Sequence, residues 1–190
     1  MDGQAAVLVL LYRDASGEHI LLTKRAEHMN SHAGEIAFPG GKWELGDETL
    51  YQTAARECFE EVGVDVAGAK FEGALKPLLA RSEIRVSPFV VELSERPELE
   101  LCVDEIASAK WIPSAVFEQD LRSKTQVFKV EGAHAWAPVY DYQGYTIWGF
   151  TARVLVELCR TRYGLVHRRA HATAPEEFYS VNLGRSNSAG

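Results

Sequence analysis

Apolar residues fall along this chain in short blocks cut by polar turns, and the blocks show two periods. Residues 5–12 form an unbroken apolar run closed by Arg13-Asp14-Ala15-Ser16-Gly17, the pattern of a buried strand ending in a turn. Residues 19–24 read as its partner across that turn. Residues 26–34 are polar and irregular, and 35–38 form a short strand punctuated by Pro39-Gly40-Gly41. The period then changes to helical. Over 48–62, Tyr51, Ala54, Ala55, Cys58 and Val62 recur as one apolar stripe. Asp47 or Thr49 can cap the start, and Gly63 stands where a left-handed closing residue is expected. Strands follow at 75–79 and 86–93 with a polar turn at 81–85, then a short one at 109–112 ended by Pro113. Residues 115–121 predict a helix, 128–140 one strand and 145–148 another. A second clear helix covers 151–163, with Ala152, Leu155, Val156 and Cys159 on one side. The pattern predicts a single α/β domain with a mixed sheet over 1–165 and a polar, loosely ordered segment over 166–190.

Composition narrows what such a domain does. The chain has 190 residues, 46% hydrophobic and 25% charged, the balance of a globular protein with room for a core and a cleft. Its net charge of −7 argues against non-specific nucleic-acid binding, which needs a basic patch. An acidic protein that takes an anionic substrate needs local positive charge, which bound metal ions supply. Cys58, Cys102 and Cys159 match no zinc spacing and form no complete disulfide set, so a reducing compartment is expected. The first apolar run is too short to span a bilayer and nothing resembles a signal peptide. The expectation is a cytoplasmic protein with no membrane partner.

The chemistry concentrates on the first helix. Glu57, Glu60 and Glu61 stand at i, i+3 and i+4 and share one face. At 100° per residue their mean direction lies roughly 120° from the apolar stripe. One side can therefore enter the core while the other turns carboxylates toward a cleft. Like charges on adjacent turns repel, more strongly as solvent is lost, and a hard divalent cation such as Mg²⁺ or Mn²⁺ relieves that repulsion. The alternative for a glutamate triplet is a solvated face with Arg56 as a surface ion partner. Gly40-Gly41 ahead of the helix shift the balance, because a diglycine lets backbone approach a ligand closely or take positive φ.

Residues 56–64 (Arg-Glu-Cys-Phe-Glu-Glu-Val-Gly-Val) resemble the Nudix box, whose motif is a Gly, an acidic residue, then Arg-Glu-hydrophobic-x-Glu-Glu-x-Gly-hydrophobic. Counting back from Arg56, Glu48 falls on the acidic slot and Lys42 on the glycine slot. Gly41 and Asp47 fit together when one residue is inserted before Arg56. Upstream, Leu21-Leu22-Thr23-Lys24-Arg25-Ala26, Gly34 and Phe38-Pro39-Gly40-Gly41 are similar to the signature of the coenzyme A pyrophosphatase branch, which carries the same insertion. Asn30 stands where that signature has Arg. Val86-Ser87-Pro88-Phe89 and Trp148-Gly149-Phe150-Thr151-Ala152 also look like that branch, so the resemblance runs over roughly residues 5–163. It implies a Nudix α/β/α sandwich with the box helix at the active site. It implies Mg²⁺ or Mn²⁺ held by Glu57 and Glu61 with Glu60 assisting, Glu60 and Glu61 in catalysis, and Arg56 orienting a glutamate. Gly40 and Gly41 would lie at the substrate. Coenzyme A or a thioester would be cut to 3′,5′-ADP and a 4′-phosphopantetheine product.

The basic residues expected near such a substrate are Lys24, Arg25, Arg81 and Arg85, arginine being suited to bidentate phosphate contacts. Surface charge is the plainer role for Arg81 and Arg85, whereas Arg25 sits in the signature. His28 and His32 could supply a base near neutral pH, and Glu83 or Glu105 a further carboxylate to activate water. Trp43, Trp111, Trp136 and Trp148 could stack an adenine ring or simply pack. The partner expected is a small-molecule nucleotide, with a homodimer left open. Two rivals stand beside the coenzyme A reading: a hydrolase for another nucleoside diphosphate such as ADP-ribose or a dinucleotide, and a non-catalytic nucleotide-binding module.

Overall fold

The computed structural model describes residues 3–29, 33–80, 84–130 and 133–179. Its strands are β1 (Gln4–Asp14), β2 (Gly17–Arg25), β3 (Ile36–Ala37), β4 (Gly40–Lys42), β5 (Lys70–Ala74), β6 (Leu78–Leu79), β7 (Arg85–Leu93), β8 (Ile106–Pro113), β9 (Lys124–Val130), β10 (Ala133–Tyr142), β11 (Tyr145–Ile147) and β12 (Glu176–Tyr179). Its helices are α1 (Leu50–Val62), α2 (Ala115–Glu118) and α3 (Gly149–Arg162).

β1 and β2 form the expected hairpin, with Asp14 accepting from the Ser16 backbone at 2.8 Å to tighten the turn. β1 then pairs in parallel with β7, from Gln4 opposite Arg85 to Tyr12 opposite Leu93. Parallel neighbours need a long crossover, and the crossover between them carries α1. The resulting sheet is mixed, in the order β3-β2-β1-β7-β5, with β4 on β1, β6 on β7 and β8 on β2. Its central strand is buried on both faces, which is why residues 5–12 show no alternation. Ala6, Leu8 and Leu10 face α1 through Ala54, Cys58 and Val62. Val9 and Leu11 face the other way, toward Val154, Leu155 and Leu158 of α3 and Tyr140 and Ile147 of a second sheet ordered β11-β10-β9-β12. The α/β/α layering is the one expected, with that second sheet added.

A buried ion network ties α3 to the sheet. Glu18 is 2% exposed at its side chain; it accepts from Arg162 Nε at 3.1 Å and Nη2 at 2.7 Å, from Arg13 at 3.0 Å, and from the Tyr163 hydroxyl. Arg162 also reaches Glu72 on β5 and Glu92 on β7.

Several elements differ from the pattern reading. The stretch 128–140 holds parts of two strands rather than one, and Glu131-Gly132 between them lie outside the described residues. β5 is exposed at four of its five positions and carries no apolar run to announce it. α2 ends at Glu118, while β8 starts at Ile106 and takes in Pro113. Within the segment 166–190, residues 176–179 add to β9 as the parallel edge strand β12. His167 has a side chain only 2% exposed and bonds the Phe117 carbonyl at 2.7 Å.

Candidate active site

α1 begins with a capping box: the Thr49 side chain accepts from the Gln52 backbone and the Gln52 side chain from the Thr49 backbone. It closes at Gly63, whose φ of 72° is left-handed. Between these ends the helix presents its carboxylates unevenly. Glu61 is 5% exposed at its side chain and Glu57 16%, whereas Glu60 is 56% exposed. Two of the expected three glutamates thus turn inward, and the third stands at the rim.

The diglycine explains why those two can turn inward. The Gly40 N–H donates to Glu61 Oε2 at 3.1 Å. A Cβ at Gly41 would overlap the Glu57 carboxylate, and one at Gly40 would overlap the β1 backbone at Ala6 and Val7. β4 is therefore pressed between β1 and α1, and only glycine allows it.

Arg56 is the hub of the exposed side. It closes a two-pronged pair on Asp47, Nε to Oδ1 at 3.1 Å and Nη2 to Oδ2 at 3.0 Å. Its Nη1 donates to Glu57 and to Glu60, each at 3.1 Å, and Nη2 also to the Lys42 carbonyl at 3.2 Å. Asp47 is fixed further by the Thr53 hydroxyl at 2.9 Å and the Glu44 N–H at 3.1 Å. These donors, Arg56 foremost, pull its carboxyl down to about 2. Thus the cap is Thr49 and the acidic slot belongs to Asp47; Glu48 is exposed and only its backbone bonds Gln52.

The inward carboxylates are electrostatically strained. Burial pushes Glu61 up to about 8 against the pull of the Gly40 N–H, and Glu57 and Glu105 push the same way. Glu57 is also raised, by burial first, with Glu60 and Glu105 adding to it. The cation nearest Glu61 is Arg25, with Nη1 at 3.7 Å from Oε1. Its Nε is buried with no hydrogen-bond partner among the described residues. The Glu105 carbonyl accepts from the Ala26 N–H at 2.7 Å, which holds Glu105 beside Arg25. As they stand, no three acidic, histidine or cysteine side chains among the described residues close on one point.

The other candidates scatter. Neighbouring strand residues point to opposite faces, so Arg25 meets Glu61 while Lys24 pairs with Glu27 at 2.9 Å. Arg85 is exposed at the start of β7, opposite Gln4 and Leu79. Arg81, Glu83, Asn30 and His32 lie outside the described residues. His28 bonds the Asp104 carbonyl at 2.9 Å. Trp43 donates to the Asp47 carbonyl at 2.8 Å and so braces the turn before α1, and Trp111 meets Tyr12 edge-on. Pattern reading missed Thr53, a buried helix residue whose hydroxyl anchors Asp47. It also missed the return of the chain over the end of α1, where Glu100 and Cys102 donate to the Val62 and Glu61 carbonyls at 3.0 Å. Neither carries a sequence signal, because both depend on chain paths between elements.

The NUDIX domain family matches residues 2–129 of the chain. Nudix hydrolase 22, chloroplastic, of Arabidopsis thaliana is 32% identical over 167 residues, 84% of this chain and 55% of that protein. The uncharacterized Nudix hydrolase NudL of Salmonella newport is 34% identical over 164 residues, 82% of this chain and 80% of that one. The chain thus spans little more than half the length of the Arabidopsis relative. Among solved structures, the C. elegans Ap4A hydrolase binary complex superposes with a TM-score of 0.51 at 21% identity, over 60% of this chain and 83% of that one, a likeness of fold. No helix among the described residues is long and apolar enough to cross a membrane.

Proposed function

The chain belongs to the Nudix family, and on that premise we propose that it hydrolyses the diphosphate linkage of a nucleotide derivative with the help of Mg²⁺ or Mn²⁺. The observation that carries this reading is the pair Glu57 and Glu61, the first half-buried and the second buried against the diglycine turn, with their carboxyls held above the ordinary range. Inward carboxylates whose nearest arginines do not offset the loss of solvent are the donor set a hard cation fits. Glu57 and Glu61 would hold the ion, with Glu105 facing them and Glu60 assisting from the rim. When bound, such an ion neutralises diphosphate oxygens and lowers the pKa of a water.

The chain's own groups do the rest. The Gly40 N–H and Arg25 fix the two oxygens of Glu61, and Arg56, anchored by Asp47, orients Glu57 and Glu60. The oxygen of a water bonds to one phosphorus, the bridging oxygen leaves with the other phosphate, and Glu60 or Glu61 accepts the water's proton. Arg25 is the cation best placed to meet the diphosphate, with Gly40 and Gly41 beside it.

For the substrate we favour coenzyme A or its thioesters, cut to 3′,5′-ADP and a 4′-phosphopantetheine product, on the strength of Leu21-Leu22-Thr23-Lys24-Arg25-Ala26 and Phe38-Pro39-Gly40-Gly41. Asn30, which departs from that signature, supports a second reading in which the substrate is another nucleoside diphosphate derivative, such as ADP-ribose. The test is hydrolysis of coenzyme A, 3′-dephospho-coenzyme A and ADP-ribose with Mg²⁺. Coenzyme A turned over fastest supports the first reading and ADP-ribose the second. Cleavage of none of the three by active, folded protein contradicts both.

A further inference from the structure

Away from the Glu57 and Glu61 site, and among the described residues, a recess brings together a cation with no carboxylate partner and an aromatic wall. The recess, about 220 Å³, opens between β6, β10 and α3 and is lined by Leu78, Trp136, Pro138, Arg153, Val156 and Glu157. Arg153 is exposed at its rim, so a solute can reach it. Its Nη1 donates to the Leu79 carbonyl at 3.1 Å, and among the described residues it has no carboxylate partner. Glu157, one turn further on, stands at the spacing for an i, i+4 pair. Both oxygens of Glu157 are instead taken by Arg160, at 3.0 and 2.5 Å. Elsewhere on this acidic chain Arg13, Arg56, Arg122, Arg160, Arg162 and Arg169 each hold a carboxylate. The protein around Arg153 lowers its pKa by withdrawing water, with no charge offsetting that.

A guanidinium with no carboxylate partner among the described residues selects a phosphate, which it grips through parallel N–H groups. The indole of Trp136 and the apolar Leu78, Pro138 and Val156 suit the flat or apolar body that carries it. The size limits the occupant, because sites for whole small ligands run from about 300 to 1,000 Å³. This recess fits one end of a larger molecule. Its position follows from strand register: Gly40, which bonds Glu61, pairs with Val7, Val7 with Pro88, and Val86 on the same strand with Leu78. Three strand spacings of about 4.8 Å and a two-residue step along β7 separate Leu78 at the recess from the diglycine, roughly 16 Å in all. That is within the reach of a nucleoside diphosphate derivative whose diphosphate lies at Glu57 and Glu61.

We propose that the recess between β6, β10 and α3 is a subsite for a phosphomonoester carried by the substrate away from the scissile linkage, with Arg153 as its specificity-determining residue. The proposal rests on the diphosphate-hydrolase reading above for its link to that substrate. Its test uses the full chain, wild type, Arg153→Ala and Arg153→Lys. Calorimetry without metal measures binding of adenosine 3′,5′-bisphosphate and of AMP. The wild type is expected to hold the bisphosphate about tenfold or more tighter, the scale of one pair of charge-assisted hydrogen bonds. Arg153→Ala is expected to erase that preference and leave AMP unchanged, while Arg153→Lys keeps part of it. With Mg²⁺, Arg153→Ala is expected to raise KM for coenzyme A by a similar factor, leaving kcat and the KM for 3′-dephospho-coenzyme A as they are. Equal binding of bisphosphate and AMP by the wild type overturns the subsite, as does an equal loss of both in Arg153→Ala or full competition by inorganic phosphate alone. Coenzyme A hydrolysis that Arg153→Ala leaves untouched overturns the subsite and spares the hydrolase reading. Arg153-dependent binding with no hydrolysis of any substrate does the reverse.

Discussion

Arg56 and Asp47, nine residues apart, close a two-pronged ion pair at 3.1 and 3.0 Å whose carboxylate is 8% exposed. Through it the turn before α1 sets the guanidinium that touches both Glu57 and Glu60. Asp47→Asn is therefore expected to lower kcat well beyond its effect on KM, while Glu48→Gln leaves both near wild type because Glu48 is exposed. Steady-state kinetics on the two variants checks this. Equal losses would mean that the acidic slot had been misassigned.

The same pair sets a pH dependence. The carboxyl of Asp47 is held at about 2 against an ordinary 3.8, so its folded form binds protons less readily than the unfolded chain. Its contribution to stability is complete above the unfolded value and disappears as pH falls through the folded one. The difference in melting temperature between wild type and Asp47→Asn should be constant from neutral pH down to about 4 and shrink between about 4 and 2. A difference independent of pH over that window would contradict the pairing.

Glu61 carries the opposite sign. Raised to about 8 from an ordinary 4.5, it is deprotonated more readily in the unfolded chain, so metal-free protein loses stability as pH rises through that interval. Glu61→Gln should abolish turnover yet melt at or above wild type at neutral pH without metal. Saturating Mn²⁺ should raise the wild-type melting temperature, with about 2.7 kcal/mol available at a hundredfold excess over Kd, and barely move the variant. Glu60→Gln, changing a rim residue, should cost less activity than either inward glutamate. Melting curves with and without Mn²⁺, together with initial rates, measure these effects.

The two glycines should separate by phenotype. A methyl at Gly40 meets β1 backbone, and the residue's φ is +152°, so Gly40→Ala should destabilise the fold by at least about 1–3 kcal/mol. A methyl at Gly41 meets first the end of the Glu57 side chain, a flexible group that can shift. Gly41→Ala should keep most of its stability and lose activity, because the carboxylate must move. Urea denaturation and kcat on both variants distinguish a structural from a functional glycine.

Arg162 is expected to behave as a purely structural residue. Its removal leaves Glu18, 2% exposed, without its main counter-charge, and breaking such a buried pair costs about 3–5 kcal/mol. Arg162→Ala should show that loss in chemical denaturation while the folded fraction keeps its kcat.

The hairpin at the start, the two long helices and the box glutamates were legible because each follows from a local period: unbroken apolar runs, a helical stripe, acids at i and i+4. The diglycine was legible as a close approach, though not what it approaches. β5 and β12 escaped because edge strands with exposed residues carry no burial pattern. The split of Lys24 from Arg25 follows from strand alternation once residue 25 is placed in β2. Thr49 and Asp47 are near-equivalent as caps in sequence, and the reciprocal bonds between Thr49 and Gln52, with Asp47 drawn to Arg56, decide between them. Arg153 gave no signal at all: a missing counter-charge is visible only when the surrounding charges have been paired.

The most direct test of the metal-site account is a crystal soaked in Mn²⁺ with 3′,5′-ADP and examined by anomalous scattering. The expected result is an ion bridged by the carboxylates of Glu57 and Glu61 and touching a phosphate oxygen of the product. Mn²⁺ bound only elsewhere, with Glu61 still pinned to the Gly40 N–H and the product distant from both glutamates, would contradict it.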